Sequence, residues 1–271
     1  METANIDLGG EVAVVTGVLG KLGSVWASAL AGAGATVVGL DLADTVTPAL
    51  AEVRRNHGED KLVLLKADVT DRAGLRTALE ACLAGPGAPT VLVNNAGIDQ
   101  PPSAAGERSW LFEDLPDERS AGVLDVNAHG TLRMCQVFGS EMARRGKGSV
   151  INIGSLYGGV APDPRMYDHL PLDPPFLKPP AYGMSKAGVA ALSRYLAAAW
   201  GPAGVRVNTL SPGGVLGGQD PEFLTKFSAR VPMRRLAVAP DLAGPLLFLA
   251  SGLSSYVTGT ELVVDGGFTA W

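Results

Sequence analysis

VAVVTGVLGKLGSVWASALAGAGATVVGLD, residues 12–41, decides how this chain folds. Val12–Thr16 and Thr36–Leu40 are short runs of apolar and β-branched residues, and a helical stretch near 24–33 lies between them. The first run enters TGVLGKLG, residues 16–23, before the helix begins. Gly17, Gly20 and Gly23 let the backbone turn tightly, approach a pyrophosphate and pack helix on strand, with Lys21 and Leu22 completing the turn. The helix start adds unpaired N–H groups and a positive dipole end, which suit phosphate oxygens. From Leu22 to Leu40 no residue is charged, nearly enough length to cross a bilayer. Gly23, Gly32, Gly34 and Gly39 break that stretch into a helix and a strand, so buried elements of an α/β protein explain it better than a membrane anchor.

The same alternation continues along the chain. Further strands are expected at Leu62–Ala67, Thr90–Asn94, Ser149–Ile153, Val205–Leu210 and Leu262–Val264. Helical stretches fall near 47–56, 71–83, 117–145, 181–200 and 241–250. Continuously apolar strands alternating with helices imply a parallel sheet covered on both faces, and no linker or repeat interrupts it; one domain over residues 1–271 is the reading. Three segments exceed ordinary loop length, near 98–115, 156–180 and 214–235. The second is rich in proline. In an open α/β sheet such loops overhang the carboxyl ends of the strands, where ligands bind.

Asp41 ends the second strand, where a carboxylate can hold both hydroxyls of an adenosine ribose and repel a 2′-phosphate. NAD(H) is therefore expected over NADP(H), with Lys21 as a cation able to soften the preference. Tyr182 and Lys186, in PPAYGMSKAGVAAL, stand four residues apart on an expected helix, so phenol and ammonium share one face. A phenol ionises near pH 10, and a nearby cation favours the phenolate, which suits general acid–base work. The net charge of −5 gives no reason to expect nucleic acid or an anionic membrane surface as a partner. Cys82 and Cys135 are the only cysteines, and no export signal precedes the first strand, so a reducing cytoplasmic setting without disulfides is expected.

Taken in order, TGVLGKLG, Asp68-Val69, NNAG at 94–97, Asn127 in VLDVNAHG, Ser155 in INIGS, YGMSK at 182–186, VRVNTLSPGG at 205–214 and SSYVTGTELVVDGG at 254–267 resemble the short-chain dehydrogenases/reductases. The resemblance implies a Rossmann-type doubly wound sheet of about seven strands and hydride transfer between a nicotinamide dinucleotide and a secondary alcohol or ketone. It assigns Asp68 and the Val69 backbone to adenine, and Asn94, Asn95, Ala96 and Gly97 to the cofactor channel. Pro212, Gly213 and Val215 go to the nicotinamide amide. Tyr182 becomes the acid–base, Ser155 the group orienting the carbonyl or hydroxyl, and Lys186 the holder of the ribose and modulator of Tyr182. Asn127 is assigned to a water linking the site to solvent. No metal is implied. A homotetramer or homodimer is, with helices 117–145 and 181–200 pairing across one interface and the Phe268–Trp271 tail packing on a neighbouring subunit.

The chain also departs from the pattern. Lys21 stands where the short branch of the family usually has glycine, and Gly217 where a threonine often follows the Pro-Gly turn; Gln219 is the candidate to replace that contact. The resulting G-x-x-G-x-x-G spacing resembles the longer branch with its sugar epimerases and dehydratases. NNAG, VDGG and the modest length favour the short one. Ser155 and Tyr182 are 27 residues apart, about twice the usual gap, and the excess is the Pro-rich loop. Asp163, Arg165, Tyr167, Asp168, His169, Asp173 and Lys178 in that loop suit a polyol or sugar-like substrate, because buried hydroxyls need hydrogen-bond partners. Two alternatives stay open: an epimerase or dehydratase that recycles its cofactor, and a dinucleotide-binding protein without chemistry.

Overall fold

The computed structural model describes residues 6–102 and 109–271; residues 1–5, and 103–108 of the first expected substrate loop, lie outside the described residues. Seven strands form one parallel sheet in the order β3-β2-β1-β4-β5-β6-β7. They are β1 (Val12–Thr16), β2 (Thr36–Asp41), β3 (Leu62–Lys66), β4 (Val91–Asn94), β5 (Gly148–Ile153), β6 (Val205–Pro212) and β7 (Glu261–Val264). The order reverses between β1 and β4, which opens a crevice at their carboxyl ends. Every residue of β1 is buried, as a strand covered on both faces requires.

On one face α1 (Lys21–Gly32) and α9 (Ala239–Ala250) pack on the sheet through Trp26, Leu30, Leu242 and Leu246. On the other lie α3 (Arg72–Ala84) and α7 (Pro180–Trp200), while α2 (Pro48–His57), in the β2–β3 crossover, packs beside α1 on the first face through Leu50 and Val53. The expected helix over 117–145 runs as α4 (Asp117–Leu124), α5 (Gly130–Met134) and α6 (Ser140–Arg145), joined by π-helical turns at Asp125–His129 and Cys135–Gly139. Such wider turns interrupt the usual bonding ladder. Their glycines allow close packing: a Cβ at Gly139 would come within 2.7 Å of the Trp200 ring. Among the described residues no helix is long and apolar enough to cross a membrane, and the uncharged 22–40 stretch divides into α1 and β2.

The sequence reading lacked one element, α8 (Pro221–Arg230), inside the third long loop. Asp220 caps it by accepting from the Glu222 and Phe223 amides. Phe223 and Phe227 of α8 stack with Tyr167 and Phe268, at centroid distances of 5.5 and 4.9 Å. This separate apolar cluster lies under the loops. It also takes in part of the C-terminal tail. Phe268 is buried within its own chain, and Trp271 donates to the Arg230 carbonyl at 3.0 Å while staying 72% exposed.

Candidate active site

A cleft of about 950 Å³ runs along the carboxyl ends of β1, β2, β4, β5 and β6. Every residue expected to hold the dinucleotide lines it except Gly23 and Asn94. Gly23 serves the turn from behind: a Cβ there would collide with the Gly17 carbonyl and lie 2.5 Å from Val18 Cα. Gly17 has φ +64°, and a Cβ would stand 2.8 Å from Ala96 Cα, so this position needs glycine on both counts. Asn95 locks the turn to the end of β4. Its amide group donates to the Thr16 and Gly17 carbonyls at 3.0 Å and its oxygen accepts from Trp26 Nε1 at 2.8 Å. Asn94, by contrast, is turned into the core, donating to Asn152 Oδ1 at 2.8 Å, and does not line the channel.

Asp41 is fixed above the turn by the Leu19 and Leu42 amides, each 2.8 Å from one carboxylate oxygen. Each oxygen keeps lone-pair capacity for a further donor. Asp68 closes a local turn by accepting from Thr70 at 2.8 and 2.7 Å. Lys21 is aimed away from Asp41: its Nζ lies 3.3 Å from the Val215 carbonyl across the cleft. Gln219 braces the same segment, donating to Val215 O and accepting from Gly217 N, so it is engaged with its own loop.

A second cleft, about 760 Å³, opens beside the first under the three long loops. Asp99, Ser155, Tyr182 and Gly213 line both clefts, so these residues mark their junction. Tyr182 and Lys186 stand on the first two turns of α7, as their spacing requires, with Nζ 5.8 Å from the ring centroid. Lys186 is buried and donates to the Ile153 carbonyl at 2.8 Å. Asn127 is also buried. It accepts from the Ile98 amide at 2.8 Å and donates to the Ile98 carbonyl and Ser185 Oγ at 3.0 and 3.1 Å. Its side chain is thus spent on holding the β4 exit against α7.

Ionisation differs from the simple expectation for the pair. Burial pushes the Tyr182 phenol up to about 12, the Asp99 carboxylate adds to this, and the Ser155 hydrogen bond opposes it. Burial pulls the Lys186 ammonium down to about 8, with Asp99 opposing. Desolvation outweighs the favourable charge that the spacing promised.

The loops contribute groups that the motifs did not indicate. Lys178 Nζ bonds both oxygens of Asp99 at 2.7 Å and lies 5.1 and 5.6 Å from the ring centroids of Tyr182 and Tyr157. Its side chain is only 4% exposed. His169, one of the loop residues expected to suit a polyol, is 11% exposed and lines the second cleft. Lys226 is a donor only, so His169 Nδ1 accepts from it at 3.1 Å, while Nε2 lies 2.9 Å from Asp220 Oδ1. Arg165 lies outside the cleft, paired with Asp163 and 82% exposed. Sequence order gave no sign of the Asp99–Lys178 pair, which joins loops 79 residues apart.

The comparisons agree with this geometry. A short chain dehydrogenase family model matches residues 11–167, and an enoyl-(acyl carrier protein) reductase model matches residues 175–269. Galactitol 2-dehydrogenase of Rhizobium johnstonii is 37% identical over 275 residues, covering 97% of each chain. A short chain dehydrogenase from Leptospira borgpetersenii serovar Hardjo-bovis with bound NAD+ superposes with a TM-score of 0.84 at 30% identity, covering 99% of this chain and 96% of that one. A gluconate 5-dehydrogenase from Burkholderia cenocepacia, in complex with NADP and tartrate, gives 0.84 at 28% identity and 98% of each chain. The chain belongs to the short-chain dehydrogenase/reductase family. It is an oxidoreductase of the kind that uses a nicotinamide dinucleotide and a small alcohol substrate.

Proposed function

We propose that this protein is an NAD(H)-preferring polyol dehydrogenase that oxidises a secondary hydroxyl of a neutral polyhydroxylated substrate. The observation that carries the reading is the junction of the two clefts at Ser155 and Tyr182. The residues fit a dinucleotide: glycines let the turn close on the backbone of Ala96 and Val18, Gly17 and Gly20 line the cleft, and Asp41 offers acceptors at the end of β2. Asp41 would hold the adenosine ribose, and Lys186 with Gly213 would flank the nicotinamide end. A bound nicotinamide supplies the hydride acceptor.

The chain's own task is the proton. Removing one proton from the Tyr182–Lys186 pair yields either neutral lysine beside a phenol or an ammonium beside a phenolate. These are tautomers of one state, and the apparent pKa belongs to the pair. Loss of the first proton near the Lys186 value of about 8 therefore gives a pair able to accept a hydroxyl proton at the Tyr182 oxygen. Ser155 Oγ, held by the Tyr157 amide at 3.2 Å, donates to the reacting oxygen and fixes its position. Asn127 acts through Ile98 and Ser185 as a positioning residue.

A neutral polyol suits the second cleft better than a sugar acid. Among the described residues Lys178 is the one Lys or Arg lining it, and its charge is already matched by Asp99. A substrate carboxylate would meet no free cation there, whereas hydroxyls would find donors and acceptors in Lys178, Asp99, His169 and Gln219. The polyol substrate of the galactitol relative agrees with this reading. Fluorescence titration with NADH and NADPH tests the cofactor choice. Tighter NADH binding, lost to parity in Asp41→Ala, is expected. Tighter NADPH binding by the wild type would refute the preference.

A further inference from the structure

Lys21 and Gly217 stand out as two separate departures in the sequence, and in the structure they are one. The Lys21 side chain crosses the mouth of the dinucleotide cleft from the start of α1 to the Val215 carbonyl. A Cβ at position 217 would collide with the Lys21 ammonium and with the carbon that carries it. Gly217 has no positive φ that would call for glycine, so the space taken by Lys21 is the steric reason for its absent side chain. Among the described residues no carboxylate pairs with this cation: burial depresses the ammonium's pKa, and the first turn of α1 holds no acidic residue. The carboxylate of Asp41, at the end of β2, is bound to the Leu19 and Leu42 amides instead.

We infer that Lys21 is a clasp for the diphosphate of the dinucleotide, pairing with its oxygens and drawing the 214–219 segment over it, with Gly217 kept bare to admit the side chain. The inference rests on a dinucleotide occupying this cleft. An ammonium without a counter-charge, at a glycine turn shaped for phosphate, gains a charge-assisted hydrogen bond when an anion arrives. Because its ammonium is directed to the 215–217 segment and makes no contact with Asp41, it binds both dinucleotides alike and does not select for a 2′-phosphate.

A double-mutant cycle read by NADH fluorescence titration tests the clasp without using activity. Lys21→Ala should weaken NADH binding about tenfold, the loss of one charge-assisted contact. Gly217→Ala should weaken it in the same direction, because the new methyl evicts a flexible side-chain end while leaving the backbone undisturbed. The double variant should bind no worse than Lys21→Ala alone. The wild type should lose affinity with added salt more steeply than Lys21→Ala, and the NADH-to-NADPH ratio should be the same in both. Unchanged or tighter NADH binding by Lys21→Ala, or losses that multiply in the double variant, would overturn the clasp while leaving the cofactor reading intact. Failure of the wild type to bind either dinucleotide would overturn both.

Discussion

The cleft proposed for the dinucleotide and the cleft proposed for the substrate share one wall but are built by different physics. The first is made of strand ends and main-chain turns, in which glycine is required by backbone contacts such as Gly17 against Ala96 and Gly23 against Val18. The second is roofed by three loops stitched together by side chains. Asp99–Lys178 joins the first loop to the second, and Asp163–Arg230, Asp168–Lys226 and His169–Asp220 join the second to α8. A cleft of backbone geometry fixes what part of its ligand is common to many proteins. A roof of exchangeable ion pairs can be rewritten residue by residue, and on the proposed reading selectivity for a substrate resides there.

That contrast predicts a hierarchy of effects. Tyr182→Phe removes the oxygen at the junction and should lower kcat for polyol oxidation by about 10²–10⁴-fold, with NADH affinity little changed in a fluorescence titration. If the loss of rate came instead with lost NADH binding, Tyr182 would belong to the cofactor wall alone. Lys178→Met acts on the roof. It should raise KM for a polyol about tenfold, as loss of a substrate hydrogen bond and release of Asp99 imply, and leave a simple secondary alcohol nearly unaffected. Equal losses for both substrates would show that the pair serves general positioning.

Lys186 acts on the fold as well as on the chemistry, and the two effects have opposite signs. Its folded pKa of about 8 lies below the ordinary lysine value, so the burial cost is fully present below pH 8 and is relieved as pH rises towards about 10.5. Lys186→Met should therefore be inactive yet more stable at pH 7, by about 2 kcal/mol after allowing for the lost bond to Ile153, or several degrees in Tm. That gain should fade towards pH 10. In the wild type, kcat/KM for oxidation should rise with pH through an apparent pKa of about 8. A flat profile from pH 6 to 10 would contradict the shared-proton account.

What could be read from residues alone follows the same division. All seven strands were legible within a residue or two: Val12–Thr16 is an apolar run of the kind a buried parallel strand needs, while Val205–Pro212, with Arg206 and Asn208 in it, was read from its β-branched residues and its motif. The cofactor wall was legible because its glycines and Asp41 act locally, within one strand–turn–helix unit. Asn94 was misplaced because neighbouring asparagines alternate sides on leaving a strand, and Asn95 is the one that faces the turn. The ionisation of Tyr182 was misjudged because spacing reveals a nearby cation but says nothing of desolvation. Asp99 with Lys178 and His169 with Asp220 were out of reach because such pairs depend on how separate loops fold over one another. The buried Phe268 is a case of the same kind, since its partner Phe227 sits on a helix inside a loop.

The most direct test of the central claim is net NADH formation when the wild-type protein is mixed with NAD+ and a panel of polyols and sugar acids. The account predicts steady accumulation of NADH with one or more neutral polyols, together with the matching ketose, and little with the acids. Conversion of a sugar without accumulation of NADH would contradict it and point to cofactor-recycling epimerisation or dehydration.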